Sequence, residues 1–260
     1  MDARVARIST APVKALGLVH PEHVDLTREG IRGDRRFWMV DADGRLFNGK
    51  RLGPMAAIRP QWDEETGRLA LTFPDGGRVE GTVELGEPVD ARLYGLPHPS
   101  LRVIGPWEEA LSSFASRPVT LLWSLLHASD RGRAGGSVTL VSRASLERLR
   151  EEAGASTPVD GRRFRMTFDI DGVGPHEEDT WIGACVEVGD AKVVVEGDVG
   201  RCVVTSHDPD RGVTDLDTLG TLARYRPDGR SEPLPFGVYA RVVEPGRVRL
   251  GDAVRVATPV

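Results

Sequence analysis

The chain has 260 residues, a hydrophobic fraction of 40% and a formal net charge of −5. That length buries a real core in one large domain or two small ones, and the negative balance argues against general nucleic-acid affinity driven by counterion release. Two cysteines make no disulfide framework and point to a reducing compartment; without a signal-peptide core or a run of membrane-span length, a cytoplasmic location away from membranes is expected.

Short strand candidates separated by Gly, Pro and Asp turns dominate the chain. Residues 5–8 form one, ended by Pro12-Val13-Lys14, and residues 24–26 another, followed by the Gly30/Gly33 loop. Residues 37–40 (FWMV) run into Asp41-Ala42-Asp43-Gly44, where Asp-Gly signals a hairpin. Residues 69–73 and 77–83 flank Pro74-Asp75-Gly76-Gly77 as a second hairpin. Two helices are predicted. Residues 106–114 open on a proline and early acids; residues 142–152 have Ser142 as cap, Ser145 as the local alternative, and Gly154 as the stop. The polar, glycine-rich run 127–137 between them is the expected domain boundary or mobile loop. Strands return at 191–196, 238–243, 247–250 and 253–256. Strands at this spacing, without regularly alternating helices, predict a barrel or sandwich rather than a parallel α/β sheet.

Chemistry is expected at Gly200-Arg201-Cys202, which follows the strand 191–196 and leads into the turn Asp208-Pro209-Asp210-Arg211-Gly212. A thiolate is the nucleophilic and metal-binding form of cysteine, and an adjacent cation favours it. A lone cysteine after a valine-rich strand is more often a small buried hydrophobe than a reactive group. Cys185 sits in an alternating strand and is assigned no role.

Lys14 is a point-charge partner for a phosphate or an exposed loop lysine. Arg163-Phe164-Arg165, read as an extended strand, puts two guanidinium groups on one face, where an anion would relieve their repulsion; the alternative is two solvated arginines. Gly33-Asp34-Arg35-Arg36-Phe37-Trp38 joins a turn, alternating charges and an aromatic strand start. His207-Asp208 reads as the lead into a turn rather than a general base. Trp181 is expected in the core, with Glu178-Asp179-Thr180 forming a turn. Scattered histidines and the absence of C-x-x-C argue against zinc, and no P-loop or dinucleotide fingerprint is present.

Taken in order, these segments resemble the MOSC-domain proteins that carry an N-terminal β-barrel domain, the architecture of the mitochondrial amidoxime-reducing component and its bacterial relatives. The resemblance runs from Pro12-Val13-Lys14 through Gly33-Asp34-Arg35-Arg36-Phe37-Trp38, the helix at 142–149, Arg163-Phe164-Arg165 and Glu178-Asp179-Thr180-Trp181. It continues through Gly200-Arg201-Cys202 and Asp208-Pro209-Asp210-Arg211-Gly212 to Thr221-Leu222-Ala223-Arg224-Tyr225-Arg226 and Phe236-Gly237-Val238-Tyr239.

The resemblance implies a mostly β (α+β) fold. An N-terminal β-barrel-like domain (1–126) would pack on a C-terminal MOSC β-barrel (127–260) with a few helices. It implies that Cys202 ligates the molybdenum of the molybdenum cofactor. Lys14, Arg36, Arg165 and Arg201 would hold the pterin and its phosphate, with Thr167 at a further cofactor-binding position. The implied chemistry is reductive removal of oxygen from N-hydroxylated small molecules. The sequence shows no iron–sulfur cysteines, so electrons are expected from a separate protein.

Ala15, Thr167 and Gly200 stand where that family usually has serine, asparagine and serine, and Met166 where it usually has proline. Each missing polar group would remove a hydrogen bond worth ~1 kcal/mol if neutral. Two other functions stay open: sulfur transfer through a Cys202 persulfide, and a cofactor-free relative that takes another anionic small molecule.

Overall fold

The computed structural model describes residues 2–126 and 137–257. The run expected as a boundary or mobile loop, with Arg131 and Arg133, lies outside the described residues except for its last position. The fold is mostly strand, as expected. Three α-helices occur among the described residues: α1 (Trp107–Ala115), α2 (Arg143–Ala153) and α3 (Thr218–Tyr225).

The largest sheet has seven strands. In spatial order they are Arg4–Ile8, Phe168–Asp171, Ser137–Ser142, Pro235–Glu244, Ala191–Gly200, Cys185–Val188 and Val254–Val256. Its two edges meet: Arg4 bridges Ala253, and the Val5 amide donates to the Asp252 carbonyl at 2.9 Å. The sheet thus rolls into a nearly closed barrel, leaving little edge to pair elsewhere. Alternation along Ala191–Gly200 sends Val193 and Val195 inward, both fully buried, to a core shared with Ile8, Phe168, Ile170 and Val238.

The chain's N-terminus belongs to this barrel. Arg4–Ile8 pairs antiparallel with Phe168–Asp171, and His23–Thr27 pairs with Gly246–Arg249. The path then enters a second body. Its four-stranded sheet orders Phe37–Val40, Thr120–Ser124, Ser100–Ile104 and Glu84–Val89, beside a three-stranded sheet of Arg59–Asp63, Arg68–Thr72 and Arg78–Thr82. The hairpin expected across Asp75-Gly76 is present, with Leu71 opposite Val79. Trp107 of α1 is buried on these sheets, and its indole N–H donates to the Leu69 carbonyl at 3.2 Å.

Capping chemistry sets the helix boundaries. Pro106 takes the N-cap position of α1, with Glu108 and Glu109 in the first turn. Ser142 accepts from the Ala144 amide and Gly154 takes the left-handed C-cap of α2. Ser145, the alternative cap, instead donates to the fully buried Glu178 carboxylate at 2.9 Å. α3 was not anticipated; its signal is Asp217, which accepts from the Gly220 amide. No helix among the described residues is long and apolar enough to cross a membrane.

One local expectation is corrected. Arg163-Phe164-Arg165 is not a strand: Gly161–Phe164 forms a 3-10 turn, capped by Asp160 and closed by Arg165 at φ 55°. The turn sends the two guanidinium groups to different partners.

Candidate functional site

A cavity of about 680 Å³ opens between the two bodies, within the usual range for small-molecule and cofactor sites. Lys14, Arg165, Arg201 and Cys202 all line it. They come from three separate stretches of chain, brought together because the N-terminal strand is stitched into the barrel beside Phe168–Asp171.

Lys14 follows the buried Val13, and its amide donates to the Phe37 carbonyl at 2.8 Å. The side chain is only 2% exposed, with Nζ 5.1 Å from the centre of the Tyr94 ring. A buried ammonium loses its hydration and favours an anionic or π partner, so the exposed-loop alternative does not hold. Arg165 turns toward the same space and donates to the Leu16 carbonyl at 2.8 Å. Arg201 is held by carbonyls, donating to Phe236 O at 2.9 Å and Phe164 O at 3.0 Å. Its guanidinium lies 5.2 Å from the Phe164 ring centre.

Cys202 is partly buried at the entry to the 3-10 turn Val203–Ser206. Its carbonyl accepts from the Thr205 amide at 3.0 Å and the Thr205 hydroxyl at 2.9 Å. That fixes the backbone that carries the thiol. Arg163 clamps the next segment: its buried guanidinium donates to the His207 carbonyl and to Asp215, both at 3.0 Å. Arg162 bridges Asp160 and Asp210, which keeps its guanidinium charged. The Asp208 carboxylate accepts from the amides of Asp210 and Arg211 at 3.0 and 2.8 Å, making the expected turn. Gly212 packs there backbone to backbone on Gly53, where neither residue has room for a Cβ.

Two expected cofactor residues lie outside the lining. Arg36 stacks on Trp123, 4.9 Å from the ring centre, and donates to the Ser124 carbonyl at 3.3 Å. Arg35 has a left-handed φ of 48°; paired with Asp34, it reaches the Arg165 carbonyl at 3.4 Å, while Arg36 lies along the neighbouring strand Thr120–Ser124 of its own sheet. Thr167 is buried in the barrel wall, where its hydroxyl lies 3.2 Å from that of Thr139 and its amide donates to Thr139 Oγ1 at 2.8 Å. Ala15 does line the cavity, at φ 76°. The Met166 sulfur accepts from Arg201 at 2.7 Å.

Several lining residues were not singled out from sequence: His20, Tyr94 and Glu232. His20 Nδ1 is 3.1 Å from Ser9 Oγ and 3.2 Å from the Ile8 carbonyl. Burial, reinforced by Arg7 and Arg162, outweighs the Ile8 contact and holds its pKa below the usual histidine range. Tyr94, also left-handed at φ 51°, and Gly95 form the two-residue turn of the hairpin Arg92–Leu93/Leu96–Pro97; only that tight turn next to Gly was visible in the sequence.

Behind Phe236, away from the lining residues, sits a second polar cluster. His176 packs edge-on to Phe236 at 5.6 Å, and burial pushes its pKa down to about 3. Glu178 is fully buried and accepts from the Ser142 amide at 3.2 Å; burial pushes it up to about 7. This cluster pins the N-terminus of α2 to the barrel.

Comparison with known proteins agrees with the architecture. The MOSC domain model matches residues 128–255, and the MOSC N-terminal beta barrel domain model matches residues 2–96. The chain is 36% identical over 279 residues to mitochondrial amidoxime-reducing component 1 of Mus musculus, covering 96% of this chain and 81% of that one. It is 32% identical over 280 residues to the Homo sapiens protein of the same name, covering 96% and 82%. It is also 28% identical over 271 residues to molybdenum cofactor sulfurase of Anopheles gambiae, covering 91% of this chain but only 34% of that longer one. The chain belongs to the MOSC-domain family, in the arrangement that joins a MOSC domain to a MOSC N-terminal beta barrel domain.

Proposed function

We propose that the chain binds molybdenum cofactor in the cavity beside Cys202 and reduces small N-hydroxylated compounds, with electrons from a separate redox protein. One observation carries the proposal: the Cys202 thiol lines a single cavity together with Lys14, which is 2% exposed, Arg165 and Arg201. The relatives named for amidoxime reduction cover the same span of chain.

The residues present suit the group. Cys202 offers a soft thiolate for a metal, while Lys14, Arg165 and Arg201 offer donors to a phosphate and a polar ring system. The missing hydroxyl at Gly200 and the absence of Arg36 from the lining reduce the number of donors but leave that charge pattern intact. When bound, the cofactor supplies a metal that accepts oxygen and passes two electrons. The protein's part is to hold and orient it: Arg201 and Arg165 are pre-set by main-chain carbonyls, and Phe164 under Arg201 keeps that wall dry. In the overall reaction the N–O bond breaks, two electrons and two protons are consumed, and the oxygen leaves as water.

A sulfur-transfer role through a Cys202 persulfide is the second reading, favoured by the similarity to the sulfurase. The test is turnover of benzamidoxime to benzamidine with a reduced one-electron carrier protein. The reductase reading expects turnover that Cys202→Ser abolishes with the fold intact. Absence of turnover together with cyanide-releasable sulfur on Cys202 would replace it with the sulfur-transfer reading.

A further inference from the structure

Cys202 stands just beyond the strand Ala191–Gly200, at the head of the 3-10 turn Val203–Ser206. A short 3-10 turn has poor hydrogen-bond geometry of its own, so the place of the thiol depends on what grips the turn from outside. The grip converges on Thr205. Its amide and hydroxyl both donate to the Cys202 carbonyl, at 3.0 and 2.9 Å. Its own carbonyl accepts from Thr218 Oγ1 at 2.9 Å and from Arg163 Nη1 at 3.3 Å.

Arg163 extends the grip past the end of the turn. Nη1 also donates to the His207 carbonyl and to Asp215 Oδ1, both at 3.0 Å, and Nη2 donates to Asp215 Oδ2 at 3.3 Å. Asp215 returns the contact, its amide donating to the Ser206 carbonyl at 3.1 Å. One guanidinium thus ties the carbonyls of Thr205 and His207 to a carboxylate on the returning chain. The arginine side chain is only 5% exposed, and its Nε is buried without a hydrogen-bond partner among the described residues. Packing alone does not favour a buried cation with an unmet donor. Phe164 and Arg165 continue from it along the cavity lining.

We infer that Arg163, neutralised by Asp215, is the positioning residue of the Cys202 thiol and acts on it through Thr205. This deepens the proposed function: it rests on Cys202 being the reacting thiol of the cavity, and it serves a metal-binding thiolate and a persulfide alike. A sulfur misplaced by ~1 Å loses most of its reactivity toward a partner held elsewhere. Lys14 and Arg165 stand on other stretches of chain, so the sulfur must arrive at a place that its own turn does not set. Arginine suits the task because its planar fork keeps its charge and serves two carbonyls and a carboxylate at once. Lysine offers one point charge and cannot span all three.

The test is alkylation of the unloaded full chain with pyrene maleimide, a bulky neutral reagent, followed at each cysteine by peptide mass spectrometry. Cys185, also partly buried but on the barrel strand Cys185–Val188, is the internal reference. Bulky reagent reaches Cys202 when the turn opens, so the rate follows the local opening equilibrium. Arg163→Met keeps the stem and deletes the guanidinium. It should raise the Cys202 rate relative to Cys185 by about ten- to hundredfold, the loss of one charge-assisted contact. Arg163→Lys should stay nearer to Arg163→Met than to wild type. Thr205→Val, which keeps the shape and removes the hydroxyl, should raise the same ratio by about two- to tenfold, and Thr205→Ser should restore it. If Arg163→Met does not fold, Asp215→Asn replaces it with the same direction expected. An unchanged or lowered ratio in either Arg163→Met or Thr205→Val overturns the assignment, as does a common rise at Cys202 and Cys185, which marks general loosening. No cofactor enters this assay, so its failure leaves the cofactor reading standing; molybdenum content and sulfur on Cys202 test that reading separately, and their failure leaves the positioning role intact.

Discussion

Lys14→Met is the perturbation that isolates the buried cation. Methionine keeps a long flexible stem at a position that is 2% exposed and deletes only the ammonium, so packing is largely preserved. In the cofactor-bound protein Lys14 would make a charge-assisted contact to an anionic group, worth ~1.5–3 kcal/mol. Its loss is therefore expected to weaken cofactor binding by about ten- to hundredfold. At saturating but fixed cofactor, that removes about 1.4–2.7 kcal/mol of ligand-dependent stability, or roughly 3–10 °C of the cofactor-induced rise in Tm for a chain of this size. The assay is differential scanning calorimetry of loaded and unloaded protein, for wild type and variant. An unchanged cofactor-induced rise in Lys14→Met would refute the reasoning, because it would mean that the ammonium does not face the bound group.

The remaining predictions concern the frame of the site. Glu178, raised in the folded state to about 7 from an ordinary 4.5, favours its protonated form there, so its contribution to stability declines as pH rises from about 4.5 to 7, by at most about 3 kcal/mol. His176, lowered to about 3 from 6.5, works the other way: its contribution is fully present above 6.5 and is lost as pH falls toward 3. The two slopes oppose each other between about 4.5 and 6.5. Glu178→Gln should therefore turn a shallow Tm profile into one that climbs with pH across that window, and an unaltered profile would contradict the assignment. Gly53→Ala places a Cβ against the Gly212 carbonyl and 3.0 Å from His207 Nδ1. It should cost ~1–3 kcal/mol in urea unfolding and loosen the loop beside Cys202; a stability equal to wild type would show that the two loops separate freely.

Much of the frame was legible because its signals are local. Alternation marks 191–196, Asp75-Gly76 marks a hairpin, and Ser142 with Gly154 marks the ends of α2; each needs only a few neighbouring residues. Arg163-Phe164-Arg165 misled because alternating charge and aromatic residues look the same in a strand and in a 3-10 turn. What decides is tertiary: a Cβ at Gly161 would strike the Arg7 guanidinium and Leu146 at 2.7 Å, and Asp160 caps the turn from outside it. The thiol and the cations Lys14, Arg165 and Arg201 were found from their motifs, whereas the burial of Lys14 could not be, since most lysines are exposed. Arg36 and Thr167 were placed in the cavity by resemblance alone, whereas Arg36 lies along the neighbouring strand Thr120–Ser124 of its own sheet. Glu232, Tyr94 and His20 carry no motif that names a ligand; His20 is placed by the long-range pairing of Arg4–Ile8 with Phe168–Asp171, Glu232 by that of Ala191–Gly200 with Pro235–Glu244, and Tyr94 by its local hairpin turn.

The central claim is that the cavity beside Cys202 holds molybdenum cofactor. Molybdenum by mass spectrometry and oxidised pterin by fluorescence, both per mole of protein purified from a host that makes the cofactor, test it most directly. The account predicts about one of each per chain in the wild type, following the single Cys202 ligand, and loss of bound molybdenum in Cys202→Ser with an unchanged circular dichroism spectrum. Wild-type protein free of both molybdenum and pterin, folded and with Cys202 reduced, would contradict it.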